Sequence, residues 1–326
     1  MRANPIYDTT MLSAPPPTKP SGPAPLWGIV TAFAVVYLGY GLNFLAVKIG
    51  VETLPAFLFA GSHVTLAGII LLTIHAVRSQ SFMLPHTGMR RAAAAAFFLF
   101  VGGVGLVTEG EKLGVPSGMA AIIKASVPLW VATLEVMRPR GERLGKVAFG
   151  GLLCGAAGVV WLVLPQFAHH KAASTEPLGV AFLILSAFLF AVGTLLVRHR
   201  PPSASPIANS AWMMVIGGIY LLVIGLCLGE ASEVSPSDFT PPVLGAFLFL
   251  LFVHSLAAFS AMNWLLGHLP AAIVTTKFYV SPAIAVLAGW LVLGESVHAR
   301  TFASLALILV GVGVTLWAQS ANKHRQ

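Results

Sequence analysis

Two lysines stand inside otherwise apolar sequence, and each opens the same charged pattern. Lys124 is followed 18 residues on by Glu142 in Gly-Glu-Arg and, 16 further, by Gly158; Lys277, Glu295 in Gly-Glu-Ser and Gly311 repeat those spacings. A lysine at bilayer depth costs about 2.5–3.5 kcal/mol on insertion scales, so it is normally directed at a cavity or a partner. Two such cations flanking a central cavity would bind carboxylate or phosphate. The other readings are a structural ion pair and a side chain that snorkels to the interface. Thr276, Tyr279 and Ser281 surround Lys277 with hydroxyl groups.

Further polar residues interrupt the apolar stretches. Glu109 and Glu111 close one of them shortly before Lys124, where either could answer the lysine or take up a proton. Burial raises a carboxyl pKa and a nearby lysine lowers it, which can poise such a group to titrate; an interfacial carboxylate in water is the alternative. His254, with Ser255, Ser260 and Asn263, forms a polar stripe, and His63 lies in another apolar stretch. Histidine switches charge most readily near neutral pH, yet such a residue is more often a hydrogen-bonded packing residue, and this holds for both. Asn43 carries an amide in the first stretch, for a cavity or for a neighbouring helix. Lys48 and Arg198 read as headgroup anchors. Glu142 and Glu295 read as helix caps or partners of Arg143 and Arg300. Pro128 and Pro282 remove backbone donors and mark bends.

The elements that hold these residues follow from composition. Apolar residues make up 57% and charged residues 9%, against roughly 25% charged in soluble domains, and the mean hydropathy is +0.85. Windows of about 19 residues, enough to cross about 30 Å of hydrocarbon, find ten spans near 27–47, 56–76, 92–110, 116–137, 147–166, 178–197, 206–228, 242–266, 270–293 and 301–319. The fold class is therefore an all-α membrane protein, with the lipid bilayer as its first partner. Cys154 and Cys227 fall within spans, where they act as small apolar residues; neither a disulfide, a metal site nor a cofactor motif is expected.

A net charge of +8 does not indicate a nucleic-acid partner. With the N-terminus inside, 13 of the 19 Lys and Arg fall on inner segments and 4 on outer ones, with Lys124 and Lys277 in spans. This bias places both termini in the cytoplasm. Residues 1–25 are rich in Pro, Ser and Thr and lack a signal-peptide core, so a disordered cytoplasmic tail is expected there.

The ten spans divide five and five. Residues 43–72 align with 193–222 at an offset of 150, and the offset becomes 153 through Glu142/Glu295 and Gly158/Gly311. Pro128 and Pro282 lie four and five residues beyond their lysines, so the lysine correspondence holds to about one residue. An odd number of spans per half requires opposite orientations, giving an inverted 5+5 repeat whose substrate site lies near the midplane between halves. The organisation read is a tail 1–25, a first repeat 26–166, a linker 167–176, a second repeat 177–319 and a tail 320–326.

Landmarks along both halves carry a resemblance. They are Gly41-Leu-Asn-Phe-Leu-Ala-Val-Lys48, Leu54-Pro55, Leu66-Ala-Gly68, Val115-Pro-Ser-Gly-Met-Ala-Ala121, Pro128-Leu-Trp130 and Gly141-Glu-Arg143, then Ala211-Trp212, Gly217-Gly218, Tyr279 before Pro282, and Leu293-Gly-Glu295. In this order, over 27–319, the chain resembles the drug/metabolite transporter superfamily, in its EamA-type ten-helix form. The resemblance implies export or exchange of small metabolites by alternating access in a bacterial inner membrane. His63 stands where the family commonly has Arg, Met213 where Gln often follows the Trp, Lys277 where Tyr or a small residue is common, and Lys124 where an apolar residue is common. Glu111, unlike Glu109, matches a Glu of some relatives.

The expected function is thus secondary active export of small polar metabolites, amino acids or organic anions. Lys277, Lys124, Asn43, Tyr279, Ser281, Asn263 and His254 are the candidate substrate residues, and Glu111, Glu109 and His63 the candidate proton carriers. Without a Walker-type Gly-x-x-x-x-Gly-Lys-Ser/Thr, energy must come from a gradient or exchange. Exchange of phosphorylated or nucleotide-linked solutes is the second transport reading. A membrane-embedded enzyme lacks its motifs, and a sensor scaffold lacks a soluble domain. Gly and Ala runs at 151–158 and 310–313 suit close helix packing, including across a homodimer.

Overall fold

Where no water reaches the backbone, an apolar segment must satisfy its own N–H and C=O groups, and helices do this within one segment. A computed structural model describes residues 25–78, 83–137, 145–168, 177–199, 205–269, 274 and 277–323. Most of the expected N-terminal tail, Glu142, and the linker positions 169–176 lie outside the described residues, as does the side chain of Tyr279.

All regular structure among the described residues is helical. Seven helices are long and apolar enough to cross a membrane. These are α1 (Leu26–Gly50), α2 (Ala56–Arg78), α3 (His86–Lys112), α4 (Ser117–Met137), α6 (Pro177–His199), α7 (Pro206–Cys227) and α8 (Pro241–Leu265). The others, α5 (Lys146–Ala168), α9 (Lys277–Leu293) and α10 (Ala299–Lys323), carry shorter apolar stretches and fall on the remaining expected spans. Helix α3 begins ahead of its expected start at 92, and α10 runs past its expected end at 319.

Packing repeats the duplication. Helices α2 and α7 pack most extensively together, as do α5 and α10; α3 lies on α6, α1 on α8, α4 on α9 and α6, and α9 on α1. Exchanging first-half helices for their second-half counterparts returns this set of pairings. Both α3 and α8 also widen into π-helical turns, over Phe97–Gly105 and Phe249–Ala258, which begin 152 residues apart. Helix α4 pauses at Ala125 and Ser126, just before Pro128, whereas Pro282 stays inside α9.

Small residues set the closest crossings. A Cβ on Gly311 would collide with the backbone of Gly155, and one on Gly68 would lie 2.7 Å from the Val215 nitrogen. The glycine runs at 151–158 and 310–313, expected to suit close helix packing, meet each other between α5 and α10. Outside, large apolar side chains such as Trp27, Ile69, Leu153, Trp161, Leu226 and Phe302 are exposed, as a lipid-facing surface requires.

One end of the bundle is laced with polar contacts. Glu230 Oε1 and Oε2 accept from the Phe57 and Leu58 nitrogens at 3.1 and 2.8 Å, at the start of α2. Glu295 Oε1 and Oε2 accept from the Ser117 and Gly118 nitrogens at 2.6 and 3.1 Å, at the start of α4, where Pro116 supplies no side-chain cap. Lys112 pairs with Glu233 at 3.4 Å, and Thr53 Oγ1 donates to the Asp238 carbonyl at 2.8 Å.

Candidate functional site

Lys124 ends the first segment of α4, and its ammonium turns into a corner formed with α3 and α6. Nζ donates to the Gly103 carbonyl at 3.2 Å and to Ser186 Oγ at 3.1 Å, while Ser186 Oγ donates to the same carbonyl at 2.9 Å. The Phe190 ring covers it, with Nζ 4.5 Å from the centroid. Gly103 lies in the π-helical turn of α3, a deformation common at functional sites.

Lys277 occupies the equivalent corner of α9 with α1 and α8. Its Nζ lies 3.7 Å from the centroid of the Tyr40 ring and donates to Met262 Sδ at 3.0 Å. Tyr40 OH also points at Met262 Sδ, at 3.7 Å, and its ring meets the His254 ring edge-on at 5.0 Å. His254 Nδ1 lies 3.1 Å from the Gly39 carbonyl. Ser281 sits one turn beyond Lys277, buried, with no partner for Oγ. Tyr40 and Phe190 are 150 residues apart, the offset that relates α1 to α6. Each lysine therefore lies over the ring that the duplication makes equivalent, and cation–π contact of this kind stabilises a desolvated ammonium by about 2 kcal/mol or more.

The two lysine niches share none of these neighbours. His63 of α2 is buried with neither ring nitrogen bonded, set edge-on to Phe59 at 5.7 Å and Phe247 at 6.3 Å. Asn43 opens the second segment of α1, half-buried, after the interruption at Leu42.

Glu111 lies at the laced end of the bundle, fully buried, and neither carboxyl oxygen has a hydrogen-bond partner. Lys48 Nζ donates to the Glu111 carbonyl at 2.6 Å. Lys48 thus fastens α1 to the end of α3 and does not serve as the headgroup anchor expected of it. Glu109 is half-buried, in the field of Lys112, Glu230 and Glu233.

At the opposite end, a cavity of about 540 Å³ opens between the last turns of α2, the start of α7 and the second part of α8. Its polar lining is His75, Arg78, Ser260 and Asn263, and Trp264 and Phe259 form part of its wall. Asn263 Nδ2 donates to the Phe259 carbonyl at 3.0 Å.

Sequence reasoning missed Tyr40, Phe190, Ser186, Met262, His75 and Arg78. A signal existed for the rings: Tyr40 and Phe190 stand three residues ahead of the ungapped alignment of 43–72 with 193–222.

Residues 26–164 and 177–317 each match the EamA-like transporter family. A protein of Escherichia coli K12 described as the uncharacterized inner membrane transporter YedA is 30% identical over 292 residues, covering 88% of this chain and 89% of its own. A probable amino-acid metabolite efflux pump of Salmonella typhimurium is 22% identical, with 87% of this chain and 93% of that protein covered. A solved crystal structure at 19% identity superposes with a TM-score of 0.61, over 91% of this chain and 99% of that one, which shows a shared fold.

Proposed function

Since the chain belongs to the EamA-like transporter family, we propose that it is a secondary active exporter of small polar metabolites, amino acids or organic anions, working by alternating access in the bacterial inner membrane. The observation that carries this reading is the pair of equivalent cation niches, Lys124 over Phe190 and Lys277 over Tyr40, one in each half. A site built twice on inverted halves presents like charge toward either side as the halves rock.

The full architecture belongs to this proposal: ten membrane helices in an inverted 5+5 repeat, with both termini cytoplasmic. Seven long apolar helices, three shorter ones and the 13-to-4 distribution of basic residues support it. Lys277, Lys124, Asn43, Tyr279, Ser281, Asn263 and His254 are assigned to substrate. Glu111, Glu109 and His63 are assigned to proton coupling; the partnerless, buried carboxyl of Glu111 and the partnerless ring of His63 support those roles. The names of the E. coli and Salmonella relatives support the membrane and the direction.

Metabolite profiling of medium from cells with and without overexpression identifies the solute, and inside-out vesicles then test it directly. Accumulation driven by a pH gradient, with counterflow in proteoliposomes, is the expected result. A changed metabolite that no vesicle accumulates or exchanges overturns the reading.

A further inference from the structure

We propose that the cavity between α2, α7 and α8 is the loading site for the exported solute, and that the solute is a monocarboxylate with an apolar body, held through its carboxylate by Arg78. The inference rests on the transport reading and narrows its substrate class.

The volume, about 540 Å³, falls within the roughly 300–1,000 Å³ of small-molecule sites. Charge defines one end of the ligand. None of α2, α7 or α8 contains an aspartate or glutamate, so the guanidinium of Arg78 and the imidazole of His75 meet no carboxylate from the helices that build the cavity. His75 Nε2 is buried without a hydrogen-bond partner. Arginine presents two parallel N–H groups that match a carboxylate in a charge-assisted, bidentate pair. A single cation suits a single negative charge; a phosphate monoester would leave its second charge against apolar walls.

The walls define the other end. Phe259, Trp264 and aliphatic side chains of all three helices face the space, and they favour an apolar body over a polyhydroxylated one. Asn263 spends Nδ2 on the Phe259 carbonyl and leaves Oδ1 to accept from an ammonium or hydroxyl of the ligand, beside the hydroxyl of Ser260. The opposite end of the bundle is drawn together by Glu295, Glu230 and Lys48. The cavity therefore opens toward the face that holds the basic inner segments, where an exporter must load.

An anionic phospholipid offers the same chemistry, a negative headgroup with an apolar body, and the test separates the two sources. The full chain in phosphatidylcholine nanodiscs is titrated calorimetrically with 3-phenylpropionate, its uncharged amide and phenyl phosphate. The carboxylate is expected to bind at least about tenfold tighter than either analogue, a 1.4 kcal/mol margin. Arg78→Gln should remove that margin while leaving amide binding unchanged, which also shows the variant is folded, and Arg78→Lys should restore part of it. Ser260→Trp, which fills the cavity, should abolish binding of both. Equal binding of carboxylate and amide, or an unaltered margin in Arg78→Gln, overturns the proposal. So does loss of carboxylate binding when phosphatidylglycerol is added to the nanodiscs, since a lipid then holds the site. Transport of some solute by a chain that fails these tests would defeat this inference alone, whereas carboxylate binding without transmembrane movement of any solute would defeat the transport reading.

Discussion

Replacing Glu295 asks whether one carboxylate fastens the second half of the chain to the first. Its two oxygens hold the Ser117 and Gly118 nitrogens at 2.6 and 3.1 Å, where the N-cap residue, Pro116, makes no side-chain cap. Glu295→Ala orphans both donors in a buried setting. Each orphan costs about 1–3 kcal/mol, and removing a negative charge from a helix start adds about 0.3–1 kcal/mol. Water entering the space left by the side chain recovers part of this, so about 2–4 kcal/mol is expected. Glu295→Gln keeps one acceptor oxygen and nearly the same volume, and should cost about half as much. At about 2 °C per kcal/mol for a chain of this size, melting in detergent should fall by about 4–8 °C for the alanine variant and about 2–4 °C for glutamine. A second readout follows the geometry: Ser117→Cys should react faster with a membrane-impermeant thiol reagent when Glu295 is absent. Melting of Glu295→Ala within about 1 °C of the parent, well inside the cost of one orphaned donor, would refute the capping role.

Other expectations share the same logic. Lys277→Met should abolish uptake into inside-out vesicles without disturbing the elution profile of the folded protein, and parental transport rates would remove the lysine from the substrate site. Glu111→Gln should lose stimulation by a pH gradient, because the amide cannot exchange a proton; stimulation of undiminished size would exclude coupling through this carboxyl. Ser186→Ala removes an acceptor from the Lys124 ammonium and a donor from the Gly103 carbonyl, a loss of about 1–3 kcal/mol readable by denaturant unfolding. Gly311→Leu forces α10 off α5, where a Cβ already meets the Gly155 backbone; overpacking of this kind costs about 1–3 kcal/mol or more and should appear as poor expression and early melting.

Much of the architecture was legible because membrane helices announce themselves twice, by apolar length and by the cost of any charge within it. The periodic record of the duplication was legible too, since Glu295 and Gly311 kept both type and spacing. Glu230 was not: it lies in an acidic connection that reads as solvated, and only the approach of the α2 start turns it into a cap. Lys48 misled for a related reason. A lysine at the end of an apolar segment suits a headgroup, and nothing in its neighbourhood reveals that the Glu111 carbonyl, 63 residues later, lies within 2.6 Å. The π-helical turns of α3 and α8 leave no local signature, because Phe-Phe-Leu-Phe and Phe-Leu-Leu-Phe suit a regular helix equally well.

The two lysine niches agree in what duplication preserves and differ in what it leaves free to drift. Both retain an aromatic ring beneath the ammonium, at Phe190 and Tyr40. Such a contact, about 2 kcal/mol or more once desolvated, is of the same order as the roughly 2.5–3.5 kcal/mol that a lysine costs at this depth, and each niche adds something more. In the first half the protein supplies it with two oxygens, the Gly103 carbonyl and Ser186 hydroxyl. The position equivalent to Ser186 is Val36, fully buried in α1, so that hydroxyl has no second-half counterpart. There the groups beside the ring are a thioether and an imidazole turned to the Gly39 carbonyl, with Ser281 one turn along α9. Duplication thus kept the ring beneath each ammonium and let the polar groups beside it diverge.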